Sequence, residues 1–374
     1  MSEVLSGIEN QVLALAGNIQ QIPAPTFAER ERAAFVQRLM QVEGLLDVHQ
    51  DETGNVYGRL AGRGESPPLI VSAHLDTVFP AGTDLTLKQG EGMLSGPGIG
   101  DNSLGVAGLF GLLWMLRQAG QPLRGDIWLV GNVGEEGLGD LCGMKAVVQR
   151  FEAAVSAYLV LEGMSLGQVY HRGLGVQRFR ITVQAPGGHS WANYGRPSAI
   201  HRLARLITRL ESLPVPAAPR SSLNVGVIAG GTSVNTIAAQ AHLELDLRSE
   251  AVSALADLVA QVAQLVAESN QPEEGVTCRA EVIGLRPAGG MAADHPLVML
   301  AMNCLREQGI SPALRIGSTD ANIPLSQGLP AVCVGLTTGS GAHTLRETIQ
   351  TAPLGSGLGQ LLALAQGAFQ LSQP

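Results

Sequence analysis

The sequence predicts an α/β fold, a mostly parallel mixed sheet with flanking helices, into which a smaller α+β domain is inserted. Three observations carry that expectation. Apolar, β-rich runs recur at intervals that leave room for helices between them. Near Gly173 the texture changes to alternating polar and apolar residues, the mark of half-exposed antiparallel strands. From His295 onward the first texture returns. The division this implies is residues 1–172 with 287–374 as one discontinuous domain, and residues 173–286 as the insertion.

Taken in chain order, the opening MSEVLSGIENQVLALAGNIQQ has no basic segment and carries Glu3 and Glu9, so it reads as an amphipathic helix and not as a signal peptide. Helical spacing shows over residues 12–19 and 29–44, and RLAGRGESPP at 59–68 reads as a surface turn. Residues 68–75 (PLIVSAHL), 126–133 (DIWLVGNV) and 155–162 (VSAYLVLE) are apolar on both faces, as strands buried on both sides require. Between the first two, residues 103–119 place Leu109, Leu112, Leu113 and Leu116 on one helical stripe. In the insertion, residues 177–184, 222–227 and 241–248 alternate as strands, with helices over 198–213 and 250–269 and a last strand over 281–285 before Pro287. The closing elements are a helix over 296–308, a strand over 331–336 and a helix over 354–371.

Composition narrows the function classes. A chain of 374 residues suits two domains better than one core. Hydrophobic content of 45% with 15% charged residues argues for a folded enzyme and against disorder. The net charge of −8, the lack of a basic run and an aromatic content of 4% argue against nucleic acid or an anionic membrane as partner. No apolar run approaches the roughly 20 residues that span a bilayer. Four widely spaced cysteines without a CxxC pair read as reduced, buried thiols of a cytoplasmic protein.

The residues with chemical potential fall at strand ends. His74 and Asp76 are two apart, so they project to one side of a strand. They suit a metal-ligating imidazole with a carboxylate on its second nitrogen, or equally a strand-end histidine satisfied by its neighbour. GPGIGDN at 96–102 delivers Asp101 on a flexible turn just before a helix, where it could cap that helix or, with one oxygen for each of two ions, bridge them. Gly134-Glu135-Glu136-Gly137 follows a buried strand, and two adjacent carboxylates there repel unless a cation or proton lies close. One can ligate while the other acts as general base on water. Glu162 ends the third strand and His343 lies in a glycine-rich loop after the strand over 331–336. Such side chains converge at the carboxyl edge of an α/β sheet, where ligands bind.

VSAHLDTVFP, SGPGIGDNSLG, GNVGEEGLGD, LVLEG and SGAHTLRE resemble, in order, the five metal-site segments of the M20 metallopeptidase family, which includes glutamate carboxypeptidases, aminoacylases, acetylornithine deacetylases and succinyl-diaminopimelate desuccinylases. The resemblance implies a zinc-exopeptidase-like fold with an inserted dimerisation lid. It implies that His74 and Glu162 hold one divalent ion, Glu136 and His343 the other, and that Asp101 bridges them across a cis peptide to Asn102. Asp76 would orient His74. Glu135 would deprotonate the bridging water and later protonate the leaving amine. Two histidines and three carboxylates suit zinc, with cobalt or manganese as alternatives.

The inserted segment APGGHSWANYGRPSA carries His189, which the resemblance brings to the partner subunit's site as oxyanion stabiliser. It likewise implies a homodimer, and substrate contacts from Asn235, Arg248, Ser318 and Thr319. Two features depart from it or only lean. LGDLCGM at 138–144 does not match the best-known subgroups, and Glu162 in place of Asp resembles the carboxypeptidase and deacylase branches more than the aminopeptidases. The function implied is hydrolysis of the amide bond of a small N-acyl amino acid or short peptide. A di- or tripeptide exopeptidase is the alternative within the class, and a non-catalytic scaffold the alternative outside it, separable by activity loss on chelation.

Overall fold

Leu69–His74, Ile127–Asn132, Ala157–Glu162 and Ala331–Gly335 are buried almost end to end and run parallel in the middle of a nine-stranded sheet. Their side chains sort with a period of two. Leu69, Val71, Leu159, Leu161 and Val334 enter one hydrophobic core, and Ile70, Tyr158, Val160 and Cys333 enter a second on the opposite face. Helices Ser2–Gln20, Leu104–Ala119, Pro296–Glu307 and Leu354–Leu371 build the first core. Helices Cys142–Phe151 and Asn322–Ser326 build the second. Coverage of both faces is the reason these strands read as continuous apolar runs. This structure, a computed structural model, describes residues 2–371, and the chain divides into two units: Met1–Gly173 with Gly290–Pro374, and Leu174–Gly289.

The margins make the sheet mixed. Leu46–Gln50 and Val56–Leu60 add antiparallel strands beside Ile127–Asn132. On the other side Gln168–Gly173 runs antiparallel to Ala331–Gly335 and parallel to Ala313–Gly317. Against the expected turn over residues 59–68, Arg59 and Leu60 therefore close a strand. Among the described residues one helical stretch, Ile99–Ala119, is 21 residues long with a mean hydropathy of 1.3, enough by length and composition to cross a membrane. This corrects the expectation that no such run exists. Eleven residues of Leu104–Ala119 are buried in the fold, as befits a helix packed between sheet and helices. Cys278, Cys304 and Cys333 are buried, whereas Cys142 is only half-buried, and none is in a disulfide.

The unit Leu174–Gly289 is a four-stranded antiparallel sheet in the order Ser221–Gly230, Gln240–Ser249, Gly175–Gln184, Thr277–Arg286. Cross-strand partners Leu245 and Phe179, and Leu243 and Ile181, face a core shared with helices Ala199–Glu211 and Val252–Glu268. The alternate residues pair charges on the other face, Arg178 with Asp246 at 2.9 Å and Arg180 with Glu244 at 2.6 Å. Alternation of this kind is what half-exposed strands require. Ser221–Gly230 is one of its two edges, and its residues from Gly226 onward are exposed.

Candidate dinuclear metal centre

Three adjacent parallel strands end together. His74 closes Leu69–His74 in register with Asn132, and Ser72 pairs with Val160, so Glu162 falls level with His74. His74 Nε2 lies 3.8 Å from Glu162 Oε2. Asn132 leads directly into Glu135 and Glu136, both buried. Asp76 ties these elements together: its carboxylate accepts from Glu135 N at 3.0 Å, Glu136 N at 2.8 Å and Thr26 Oγ1 at 3.0 Å. The nearest partner of His74 Nδ1 is the backbone oxygen of Asp76 at 3.0 Å, with its carboxylate at 3.5 Å. Asp76 thus faces the imidazole and, more closely, the backbone carrying the two glutamates.

Asp101 and His343 come from loops rather than strand ends. A small sheet pairs Met93–Ser95 with Thr348–Gln350 and so sets the two loops side by side. Gly98, at φ +74°, opens an irregular turn over Ile99–Ser103 that presents Asp101, and the Asp101–Asn102 peptide is cis. Asp101 does not cap the following helix; its N-cap position is Ser103. The Asn102 side chain donates to Leu161 O at 2.7 Å and accepts from Gly163 N at 3.0 Å, fixing the Glu162 strand end to the Asp101 turn. Gly163 is required there, because a Cβ would lie 2.1 Å from Gly100 O.

The two loops place one carboxylate between two imidazoles. Asp101 Oδ1 lies 3.1 Å from His74 Nε2, and Asp101 Oδ2 lies 3.1 Å from His343 Nε2, which is also 3.0 Å from Glu136 Oε1. Two sets of ligand atoms result, His74–Asp101–Glu162 and Asp101–Glu136–His343, each within 4.8 Å and sharing Asp101. A third set, His74–Glu135–Glu136, puts Glu135 at the same centre. The electrostatics are those of a cation site. Burial is the largest influence on His74 and lowers its pKa, but Asp101, Asp76 and Glu162 outweigh it and hold the imidazole well above its ordinary value. Asp101 and Glu136 push His343 up to about 10. Burial would raise Asp101, yet the two imidazoles hold it well below the usual carboxylate range. Burial lifts Glu162 to about 7. Two imidazoles and three carboxylates form a borderline-to-hard donor set that fits a pair of divalent ions.

Residues 70–366 match the family described as Peptidase family M20/M25/M40. The chain belongs to that family. Among its M20 relatives, a peptidase M20 domain-containing protein of Schizosaccharomyces pombe is 30% identical over 212 residues, 54% of this chain and 50% of that protein, so the match spans half the relative's length. The succinyl-diaminopimelate desuccinylase of Gluconacetobacter diazotrophicus is 27% identical over 323 residues, covering 81% of each. In fold, the M20 chain is similar to a tripeptidase of Staphylococcus aureus, with TM-score 0.82, 22% identity, and 97% and 99% of the two chains covered. It is similar as well to the YXEP protein of Bacillus subtilis, described as a dinuclear metal-binding peptidase of the M20 family, with TM-score 0.70, 16% identity and coverage of 98% and 99%.

The remaining expected site residues lie apart from this cluster or beside it. Thr319 N donates to Asn322 Oδ1 at 3.1 Å, and the next residue, Asp320, is buried and accepts from Asn132 Nδ2 at 2.6 Å, so the Ser318–Thr319 loop is tied to the same sheet edge. In the inserted unit, His189 and Asn235 are neighbours: Gly188–His189 pairs with Thr236–Ile237, and Ser190 N donates to Asn235 O at 3.0 Å. His189 Nδ1 accepts from Trp191 N at 3.2 Å, which leaves the proton of the neutral ring on Nε2. Arg248 is not with them. It pairs with Asp246 at 2.7 Å near the far end of strand Gln240–Ser249, roughly 25 Å from the His189 end at the usual rise per residue.

Sequence reasoning passed over the layer behind the ligands. Arg32, buried, donates to Leu75 O at 2.8 Å between His74 and Asp76, and Glu29 accepts from Gly134 N at 3.2 Å just before the glutamate pair. Glu347, within the SGAHTLRE segment itself, was visible only as a residue following His343.

Proposed function

We propose that this M20 hydrolase cleaves the amide or peptide bond of a small N-acyl amino acid or short peptide at a two-metal centre. One observation carries the reading: the two oxygens of Asp101 face the Nε2 atoms of His74 and His343 at 3.1 Å each, so a single carboxylate borders two ligand sets. His74 and Glu162 would hold one ion, Glu136 and His343 the other, with Asp101 available to both. Bound zinc, or cobalt or manganese in the same donors, supplies Lewis acidity and lowers the pKa of water. Glu135, buried at the same centre, takes a proton from water and returns it to the leaving amine. Ser318 and Thr319, on the loop after Ala313–Gly317, would contact the substrate. His189 Nε2–H suits donation to a developing oxyanion. Its separation of roughly 25 Å from Arg248 within one unit supports a homodimer through the inserted domain, because one small substrate then meets Arg248 and Asn235–His189 from different copies. The 27% identity with a desuccinylase supports an N-acyl amino acid as substrate.

The test is a panel of N-acetyl, N-succinyl and N-carbamoyl amino acids beside di- and tripeptides, assayed after chelation and after zinc reconstitution. Hydrolysis of one class, lost on chelation and restored by zinc, is the expected result. A protein that binds two ions yet cleaves nothing on the panel, or cleaves equally well without metal, defeats the reading.

A further inference from the structure

One buried carboxylate beside the centre has no place in the chemistry above. Glu347 is 0% exposed and lies four residues beyond His343. Three backbone amides donate to its side chain: Gly98 N to Oε2 at 3.1 Å, and Gly100 N and Asp101 N to Oε1 at 2.7 Å each. All three belong to the turn that presents Asp101. The main chain of Glu347 is engaged as well, its oxygen accepting from Gly96 N at 2.9 Å and its nitrogen donating to Thr344 O at 3.2 Å. One residue therefore grips the Asp101 turn with its side chain and the His343 turn with its backbone. A buried carboxylate is costly unless hydrogen-bonded, and these amides meet that need. Burial, with Asp101 close by, still lifts it to about 7.

We infer that Glu347 is a positioning residue of the metal centre: it locks the Asp101 turn against the His343 turn and so sets the geometry in which Asp101 faces both ligand sets. The inference rests on the two-metal reading of Asp101. Glutamine in its place keeps the shape but exchanges one acceptor oxygen for an NH2 donor. Facing three N–H groups, that side chain leaves at least one of them opposed donor to donor, and the Asp101 turn shifts.

The test is metal titration of metal-free wild type, Glu347→Gln, Asp101→Asn and the double variant with Zn2+, and with Co2+ as a probe whose absorption reports coordination. Circular dichroism confirms that each variant folds. Wild type should take two ions. Glu347→Gln should bind the weaker-held ion roughly 10–100-fold less tightly, as loss of a partner behind a ligand does, with an altered Co2+ spectrum. In the Asp101→Asn background the same substitution should change affinity less than about twofold, since its route to the ion is gone. Wild-type affinity and spectrum in Glu347→Gln overturn the inference. So does an equal loss in both backgrounds, which marks a general loosening of the fold. If Glu347→Gln does not fold, Glu347→Asp carries the test: charge is kept, reach shortens by one methylene, and a smaller loss for the same ion is expected, with wild-type affinity overturning. A wild-type chain that takes one ion or none removes the two-metal reading itself, and the inference with it.

Discussion

Asp76→Asn isolates what one buried carboxylate does for the whole centre. Asp76 is 0% exposed, and its Oδ2 accepts from Glu136 N and Thr26 Oγ1 while its Oδ1 accepts from Glu135 N and faces His74 Nδ1. Asparagine fills the same volume with one oxygen and one NH2. The Thr26 hydroxyl can turn to accept, but a peptide N–H cannot. Whichever way the amide lies, the N–H of Glu135 or of Glu136 meets a donor in the interior, at a cost of about 1–3 kcal/mol. The metal-free variant should lose that much stability in denaturant unfolding near neutral pH. Metal affinity should fall roughly 10–100-fold, because both His74 and the backbone of Glu136 lose a fixed partner. The pH dependence has a definite sign. Burial raises the Asp76 pKa, but His74 and the two amides outweigh it and leave the value depressed. A depressed carboxylate stabilises the fold above its unfolded pKa, about 3.9, and that contribution is lost as pH falls through the folded value. The stability gap between wild type and variant should therefore narrow on acidification. Equal unfolding midpoints and equal metal affinity near pH 7, or a gap that widens in acid, would refute this account.

Three further outcomes follow from the same geometry. Glu135→Gln should keep both ions and lose about 10²–10⁴-fold in rate; elemental analysis showing lost metal instead would mean that the roles of Glu135 and Glu136 are exchanged. Because carboxylates hold His74 well above its ordinary value and His343 at about 10, metal uptake must displace protons, so apparent affinity should rise with pH through neutrality toward 10. Calorimetry in buffers of different ionisation enthalpy reads the released protons, and uptake with no proton release would contradict it. Finally, Glu135→Ala and His189→Ala, each nearly inactive alone, should recover activity when mixed under subunit exchange, at no more than half the wild-type rate per heterodimer. Verified exchange without recovery would show that His189 does not act across the dimer.

The legible parts of the fold were those whose burial leaves a pattern in one stretch of chain. Leu69–His74, Ile127–Asn132, Ala157–Glu162 and Ala331–Gly335 are covered on both faces, so each is a continuous apolar run bounded by turn residues. Leu354–Leu371 matches its expected limits because a proline and glycines punctuate it. Leu46–Gln50 and Ala313–Gly317 were passed over because they lie at the margins, half-exposed and with charged or polar residues interrupting the alternation. His74, Glu135, Glu136 and Glu162 were suggested by strand ends alone. Asp101 and His343 were not, since Met93–Ser95 and Thr348–Gln350, the pairing that joins their loops, are two-hundred-odd residues apart and three residues long. The ordering of ligands came from the family resemblance. Glu347, Glu29 and Arg32 were missed for a further reason: a charge that serves distant backbone groups looks, in sequence, like a charge in water.

The carboxylates behind the ligands share a chemistry. Asp76 receives the amides of Glu135 and Glu136, Glu347 those of Gly98, Gly100 and Asp101, and Glu29 those of Phe27 and Gly134. Each fixes a loop by accepting from its backbone, and each does so with a carboxylate, whose two oxygens both accept where a side-chain amide offers only one. The negative charge adds to the field at the ligand cluster and favours whatever cation enters it. Asn102 completes the frame by joining the Asp101 turn to the end of Ala157–Glu162. With every ligand-bearing segment pinned from behind, a divalent ion meets donors already within 4.8 Å of one another, and little chain entropy is lost when it binds. What opposes its entry is the protons on His74 and His343, held there by the same carboxylates that would hold the ion.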